Sequence, residues 1–215
     1  MRKRRISLIL SSLATLLPIA AGLLLWNQLP DVIATHWNFH GQADGWSSKS
    51  FAVFFLPLLL LGVHWLCVFI TARDPGNQEQ NKKALSLVVW IVPLISNICC
   101  GMVYAIALGV PLSISTVMYL MVGILFLIIG NYLPKCRRNH TIGIRIPWTL
   151  ADEDTWNATH RFGGRVWIAG SIGILLCAFL PEAIGLWVMF AALAVLVIVP
   201  MVYAYRYYHR HCKEN

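Results

Sequence analysis

The chain has 215 residues, 58% of them hydrophobic and only 12% charged, with a formal net charge of +8. Soluble domains average about 25% charged residues, so a chain this apolar could not cover its own surface and reads as an integral membrane protein. The positive balance does not point to nucleic acid, because the bases sit between apolar runs and form no face or stripe.

In chain order, "MRKRR" leads into the first apolar run, Ile6–Trp26. The charged front resembles that of a signal peptide, but the apolar stretch is longer than a signal peptide's core and reads as a retained anchor. Further runs follow at Phe51–Thr71, Ala84–Leu108, Leu112–Gly130, Val166–Leu180 and Ile184–Tyr205. A hydrocarbon core of about 30 Å takes about 20 helical residues to cross. The expected fold is therefore all-α with six transmembrane helices. The fifth is the shortest, ended by Pro181. Continuous apolar runs exclude the alternating segments of a barrel. Pro18, Pro57, Pro93 and Pro200 fall inside spans, where static kinks are expected and neighbouring groups must satisfy the carbonyls that proline frees.

With the N-terminus in the cytoplasm, sixteen of the seventeen Lys and Arg residues fall inside and only Lys49 falls outside, the pattern of the positive-inside rule. Both termini are then cytoplasmic. Two modules and a tail are expected: 1–71, two helices with an outside loop at 27–50; 84–205, four helices with a cytoplasmic loop at 131–165; and a basic tail at 206–215. The Asn-x-Thr triplets at Asn139 and Asn157 would lie on the side where no glycosylation occurs. Cys67, Cys99, Cys100 and Cys177 lie in spans and Cys136 and Cys212 face the cytoplasm, so no exported disulfide framework is expected.

The outside loop, "LPDVIATHWNFHGQADGWSSKSF", spaces His36, His40 and Asp44 by four residues. A helix would align them as metal ligands, but Gly41 and Gly45 argue for turns, with "VIATHW" a short strand. An ordered cap with Trp37 and Trp46 at the headgroups is expected and no metal. Within the spans, His64 and Asn97 are the notable polar side chains. His64 lies about 20 Å below the outer end of its helix and the two differ in depth by about 10 Å, so each is expected to bond elsewhere, His64 as a neutral imidazole on a neighbouring helix. In the cytoplasmic loop, Thr149 is expected to cap a short interfacial helix with Asp152 at its third position, and Gly163 and Gly164 to end or bend that helix before span five. Ala151, Thr155, Ala158 and Phe162 form a weak apolar stripe suited to the membrane surface. Trp156 and His160 lie on another face and are expected to dock onto the loop, with Arg145 paired to Asp152 or Glu153. Cys136, His140 and the "HRHC" tail match no compact zinc pattern. No catalytic residue, cofactor or metal is expected.

The run "GNYLPKCRRNHTIGIRIPWTLADEDTWNATHRFGGR" resembles the defining motif of the SdpI family of bacterial membrane proteins. The matching residues are Gly130, Asn131, Asn139, Gly143, Arg145, Pro147, Trp148, Thr149, Leu150, Trp156, His160, Arg161 and Gly163. Upstream, Leu29, Pro30, His36, Trp37, Asn38, Gly41, Asp44 and Pro57 resemble a small membrane domain of unknown function that often precedes that motif. The resemblance implies a multi-pass immunity protein of the bacterial plasma membrane that protects against a secreted membrane-active peptide toxin. It also implies a receptor role, in which a cytoplasmic transcriptional repressor is held at the membrane, without direct contact to nucleic acid. His36, Trp37, Asn38, Gly41 and Asp44 are then candidates for sensing a peptide outside. Two other readings stay open: a small transporter or channel using His64, and a membrane-surface enzyme using His160, Arg145 and Glu153.

Overall fold

The computed structural model describes residues 2–78, 80 and 82–211. The side chains of Arg2, Lys3 and Arg4, and all of Cys212 and Lys213, lie outside the described residues. The order is α1 (Arg2–Leu24), β1 (Val32–Trp37), β2 (Ala43–Ser48), α2 (Leu56–Arg73), α3 (Lys82–Ala107), α4 (Ile114–Tyr132), α5 (Pro147–Ala151), α6 (Glu153–Leu176) and α7 (Glu182–His211). Among the described residues, six helices are long and apolar enough to cross a membrane. The five described cysteines are free thiols.

The chain divides into two compact units, one of residues 1–69 and 86–114, the other of residues 70–85 and 115–215. The sequence grouping places helix three with helices four to six; by contacts, residues 86–107 of α3 belong with α1, α2 and the strands.

In the first unit, Leu29, Ile33, Ala52, Val53, Cys100, Val103 and Tyr104 form the core. The strands make an antiparallel hairpin in which Ile33 pairs with Ser47 and Ala34 with Trp46. Alternation along β1 sends Ile33 inward, 1% exposed, and leaves Val32 outward. A two-stranded hairpin is marginal alone in water; Ile33 and Trp37 anchor this one to the helices. The stretch "ADGW", residues 43–46, expected as a hairpin-like turn, belongs instead to the second strand, and the turn falls at residues 38–42, where Gly41 adopts φ +68°.

Both units use one device to keep proline inside a span. Pro18 has no N–H to give the Ala14 carbonyl, one turn back in α1. Asn97 Nδ2 of α3 supplies the missing donor at 2.8 Å and also reaches its own helix at the Pro93 carbonyl, 2.8 Å away. Pro200 likewise frees the Leu196 carbonyl of α7, and Trp167 Nε1 of α6 fills it at 2.9 Å. Beside Asn97, Ser96 Oγ donates to the Thr15 carbonyl at 2.9 Å and His64 Nε2 meets Ser11 Oγ at 3.1 Å. Ser11 spends its proton on the Leu8 carbonyl, so His64 Nε2 is the donor of that pair.

A double-mutant cycle tests the device. Asn97→Ala is expected to cost about 1 kcal/mol, the scale of interhelical hydrogen bonds in membranes. In a Pro18→Ala background, residue 18 recovers an N–H for Ala14 and the same substitution should cost little. Unfolding titrations of the four variants in micelles measure the coupling, and additive costs would contradict the assignment.

Candidate functional site

The second unit builds its polar loop around one buried stack. Asn139, 2% exposed, folds the chain back on itself. Its Nδ2 donates to the carbonyls of Arg137 and Ile142 at 2.7 and 2.9 Å, and its Oδ1 accepts from the amides of Thr141 and Ile142 at 2.8 and 2.6 Å. Gly143 follows with φ +113°, a conformation favouring glycine. The turn delivers two backbone groups to α6. The Cys136 carbonyl accepts from Trp156 Nε1 at 2.8 Å and the Ile144 N–H donates to His160 Nε2 at 3.0 Å.

His160 lies one helical turn beyond Trp156, with ring centroids 4.0 Å apart and planes inclined by 21°. Its Nδ1 meets the Trp156 carbonyl at 2.8 Å. A carbonyl only accepts and an amide N–H only donates, so the ring is neutral with its proton on Nδ1. Trp156 and His160 are 0% and 1% exposed. Both ring nitrogens of His160 are thus committed, Nδ1 to its own helix and Nε2 to the loop, leaving it no lone pair for a substrate proton.

Several expectations are corrected here. Arg145 does not pair with Asp152 or Glu153; its Nη1 donates to the His140 carbonyl at 2.5 Å, spanning the turn from the exposed side. Thr149 is not an N-cap. Pro147 starts α5 after an extended Ile146, and Thr149 Oγ1 reaches back to the Ile144 carbonyl at 2.8 Å and accepts from the Ile146 N–H at 3.1 Å. The side-chain cap belongs to Asp152, which receives the Thr155 N–H at 2.7 Å and its hydroxyl at 2.6 Å. Gly163 and Gly164 do not end a helix, since α6 runs unbroken from Glu153 to Leu176. They allow close approach: a Cβ on Gly164 would sit 2.8 Å from the Gly130 carbonyl oxygen. The stripe proposed for the membrane surface is instead turned into the protein at Thr155 and Ala158, both buried, and at Phe162, which stacks on Tyr203 at 4.2 Å.

Of the remaining motif residues, half-buried Trp148 packs edge-on against Tyr205 at 5.2 Å. Asn131 and Arg161 are exposed on α4 and α6.

The hairpin's five candidates divide into two groups. Asn38 and Gly41 build the turn, Asn38 Oδ1 accepting from the amides of His40 and Gln42 at 2.9 and 3.1 Å, while Trp37 packs on the core. His36 and Asp44 face out as a pair, Nδ1 to Oδ1 2.6 Å. His40 stands at the exposed tip rather than joining them. Lys49 spans the hairpin base, bonding Asp31 at 3.1 Å and the Trp26 carbonyl at 3.1 Å. The sensing candidates omit Phe39 and Trp46, which are 71% and 60% exposed and, with Val32, form the hairpin's outward apolar surface.

Asp152 sets a pH dependence. The Thr155 hydroxyl holds its carboxyl below the ordinary range; partial burial opposes this, and the amides of Thr155 and Asp154 add to it. A depressed folded pKa makes the cap's contribution complete above the ordinary carboxylate value near about 4 and lost as the pH falls through the folded value. Asp152→Ala is expected to cost about 1 kcal/mol at neutral pH. Unfolding titrations should show the gap to the parent protein closing on acidification.

Comparison with known proteins places these two constructions in context. Residues 135–204 match the SdpI/YfhL protein family and residues 13–61 match a domain of unknown function, DUF1648. The chain is 27% identical over 210 residues to the protein named Immunity protein SdpI of Bacillus subtilis (strain 168), covering 98% of each chain. No solved structure matches the chain.

Proposed function

We propose that this multi-pass cell-membrane protein confers immunity against a secreted membrane-active peptide, since residues 135–204 match the SdpI/YfhL protein family, downstream of a DUF1648 region. The carrying observation is the end-to-end likeness to an immunity protein, which takes in both the hairpin and the loop. The basic residues orient the chain with the loop in the cytoplasm and the hairpin outside, since the hairpin joins spans one and two and the loop joins spans four and five. The hairpin's exposed Phe39 and Trp46, beside the His36–Asp44 pair, offer an amphipathic peptide an apolar contact at the level where it meets the bilayer.

The loop is the reporting element. Its Trp148 face and exposed Arg145 and Arg161 are surfaces for a cytoplasmic regulator, a transcriptional repressor in the simplest case. A peptide outside alters that surface only by binding one of two arrangements more tightly. Two features weigh against the other readings. His160, Arg145 and Glu153 do not converge on an open cleft: His160 is enclosed, Arg145 bonds the turn and Glu153 is exposed. The polar groups of the first unit's spans are largely committed to interhelical bonds, which suits packing rather than a conducting path.

The test is deletion and re-expression in the parent cells, followed by challenge with peptides secreted by related strains and measurement of membrane potential. Expression should preserve both growth and potential; equal sensitivity with and without the protein would sink the proposal. A membrane-impermeant maleimide on intact cells should label Gln42→Cys and spare His140→Cys; the reverse pattern would overturn the orientation.

A further inference from the structure

The connector between α2 and α3, "TARDPGNQEQNKK", reads as a polar linker with a Pro-Gly turn. It lies outside both matched regions. Among its described residues, Asp74, Asn77 and Gln80 bond the loop within the second unit. Asp74, 8% exposed, follows the last residue of α2 directly. Its Oδ2 accepts from the His140 N–H at 2.7 Å and the Thr141 hydroxyl at 3.0 Å, while Oδ1 accepts from the Gly76 N–H at 3.0 Å. Asn77, 6% exposed, donates from Nδ2 to Thr141 Oγ1 at 2.6 Å and to the Thr71 carbonyl at 2.9 Å. Gln80, also 6% exposed, pairs with Arg137 as one strand pairs with another: Nε2 donates to its carbonyl at 3.1 Å and Oε1 accepts its N–H at 2.9 Å. Gly76 lies so close that an added Cβ would be 3.0 Å from Asn139 Cβ. Ala84, at the start of α3, shares a buried cluster with Cys136 and Trp156.

We propose that Asp74, Asn77 and Gln80 are positioning residues, which hold the turn of residues 136–142, and through it the Trp156–His160 stack, in the arrangement the loop presents to its partner. The last clause rests on the reading of the loop as a reporting surface; the positioning itself does not. Hydrogen bonds to a buried carboxylate are the strong kind, and the turn these residues hold is the one that gives Trp156 its carbonyl. Covalent continuity makes the second span the carrier of both the hairpin, at its start, and this latch, at its end. A peptide that displaces the second span therefore has a direct route to the motif.

Cys136 reports on the latch. Its thiol is 6% exposed, and burial pushes it up to about 11, so alkylation waits on local opening. The full chain carrying Cys212→Ser is placed in lipid nanodiscs and reacted with N-ethylmaleimide, and labelling of each cysteine is followed by peptide mass spectrometry. Asp74→Ala and Gln80→Ala should each accelerate labelling of Cys136 by about tenfold, the effect of losing one such bond against opening. Asp74→Asn keeps an acceptor for the His140 N–H and should recover part of the protection. Cys100 and Cys177, buried in other clusters, should keep their parent rates. An unchanged Cys136 rate in both alanine variants, or parallel acceleration at Cys100 and Cys177, would overturn the proposal. The readout needs no peptide or regulator, so a failed protection assay beside a shifted Cys136 rate removes the immunity reading and leaves the latch.

Discussion

Gly143→Ala should unfold the loop while leaving the spans assembled, at a cost of about 3 kcal/mol or more. Two independent penalties add. At φ +113° a Cβ meets its own backbone, and such strained conformations cost about 1–3 kcal/mol in residues other than glycine. The new methyl would also lie 2.4 Å from His160 Nε2, the atom that accepts the Ile144 N–H. The imidazole must then leave, stranding a donor whose burial unpaired costs about 1–3 kcal/mol. His160→Ala removes the steric conflict but keeps the backbone strain, so Gly143→Ala with His160→Ala should cost less than the sum of the two changes. Limited proteolysis at Arg138 and Arg145 reads loop opening, and far-UV circular dichroism reads the spans. Loss of the spans together with the loop would show that Gly143 governs more than this turn.

The spans were legible because a bilayer writes them as continuous apolar runs, and "VIATHW" was legible because alternation with flanking turn residues is a local signal. The loop's interior was less so. Gly163–Gly164 suggests an end or a bend because glycine marks an ending, a bend and a close approach alike, and only the presence of Gly130 and Pro134 opposite tells them apart. The cap moved from Thr149 to Asp152, since both residue types cap and they stand less than one turn apart. Arg145 was matched to nearby acids by charge, whereas its reach across a tight turn put a carbonyl within range. The latch residues gave no periodic signal, because Gln80 and Arg137 are 57 positions apart and their pairing is a tertiary fact. Asn97 illustrates the opposite case: proline inside a span announces that some donor must be found, without saying which.

Trp156→Ala should be the most damaging single truncation in the loop, at about 3–5 kcal/mol, the range for emptying a buried aromatic site. The indole is fully buried, packs with Ala84, Cys136, Ile142 and Leu150, and stacks on His160. Its removal also leaves the Cys136 carbonyl without its donor. Trp156→Phe separates these contributions: it keeps an aromatic surface over His160 but has no N–H, so its cost should be nearer 1–2 kcal/mol, that of an unpaired carbonyl together with a small void. Thermal unfolding in micelles orders the parent, Trp156→Phe and Trp156→Ala. If Phe proves as costly as Ala, the hydrogen bond to Cys136 dominates; if Phe is neutral, the stack carries the site and the carbonyl finds water. Equal stability of all three would show that the loop does not depend on this side chain, and that the motif's tryptophan is held for what it contacts in a partner rather than for what it holds within the chain.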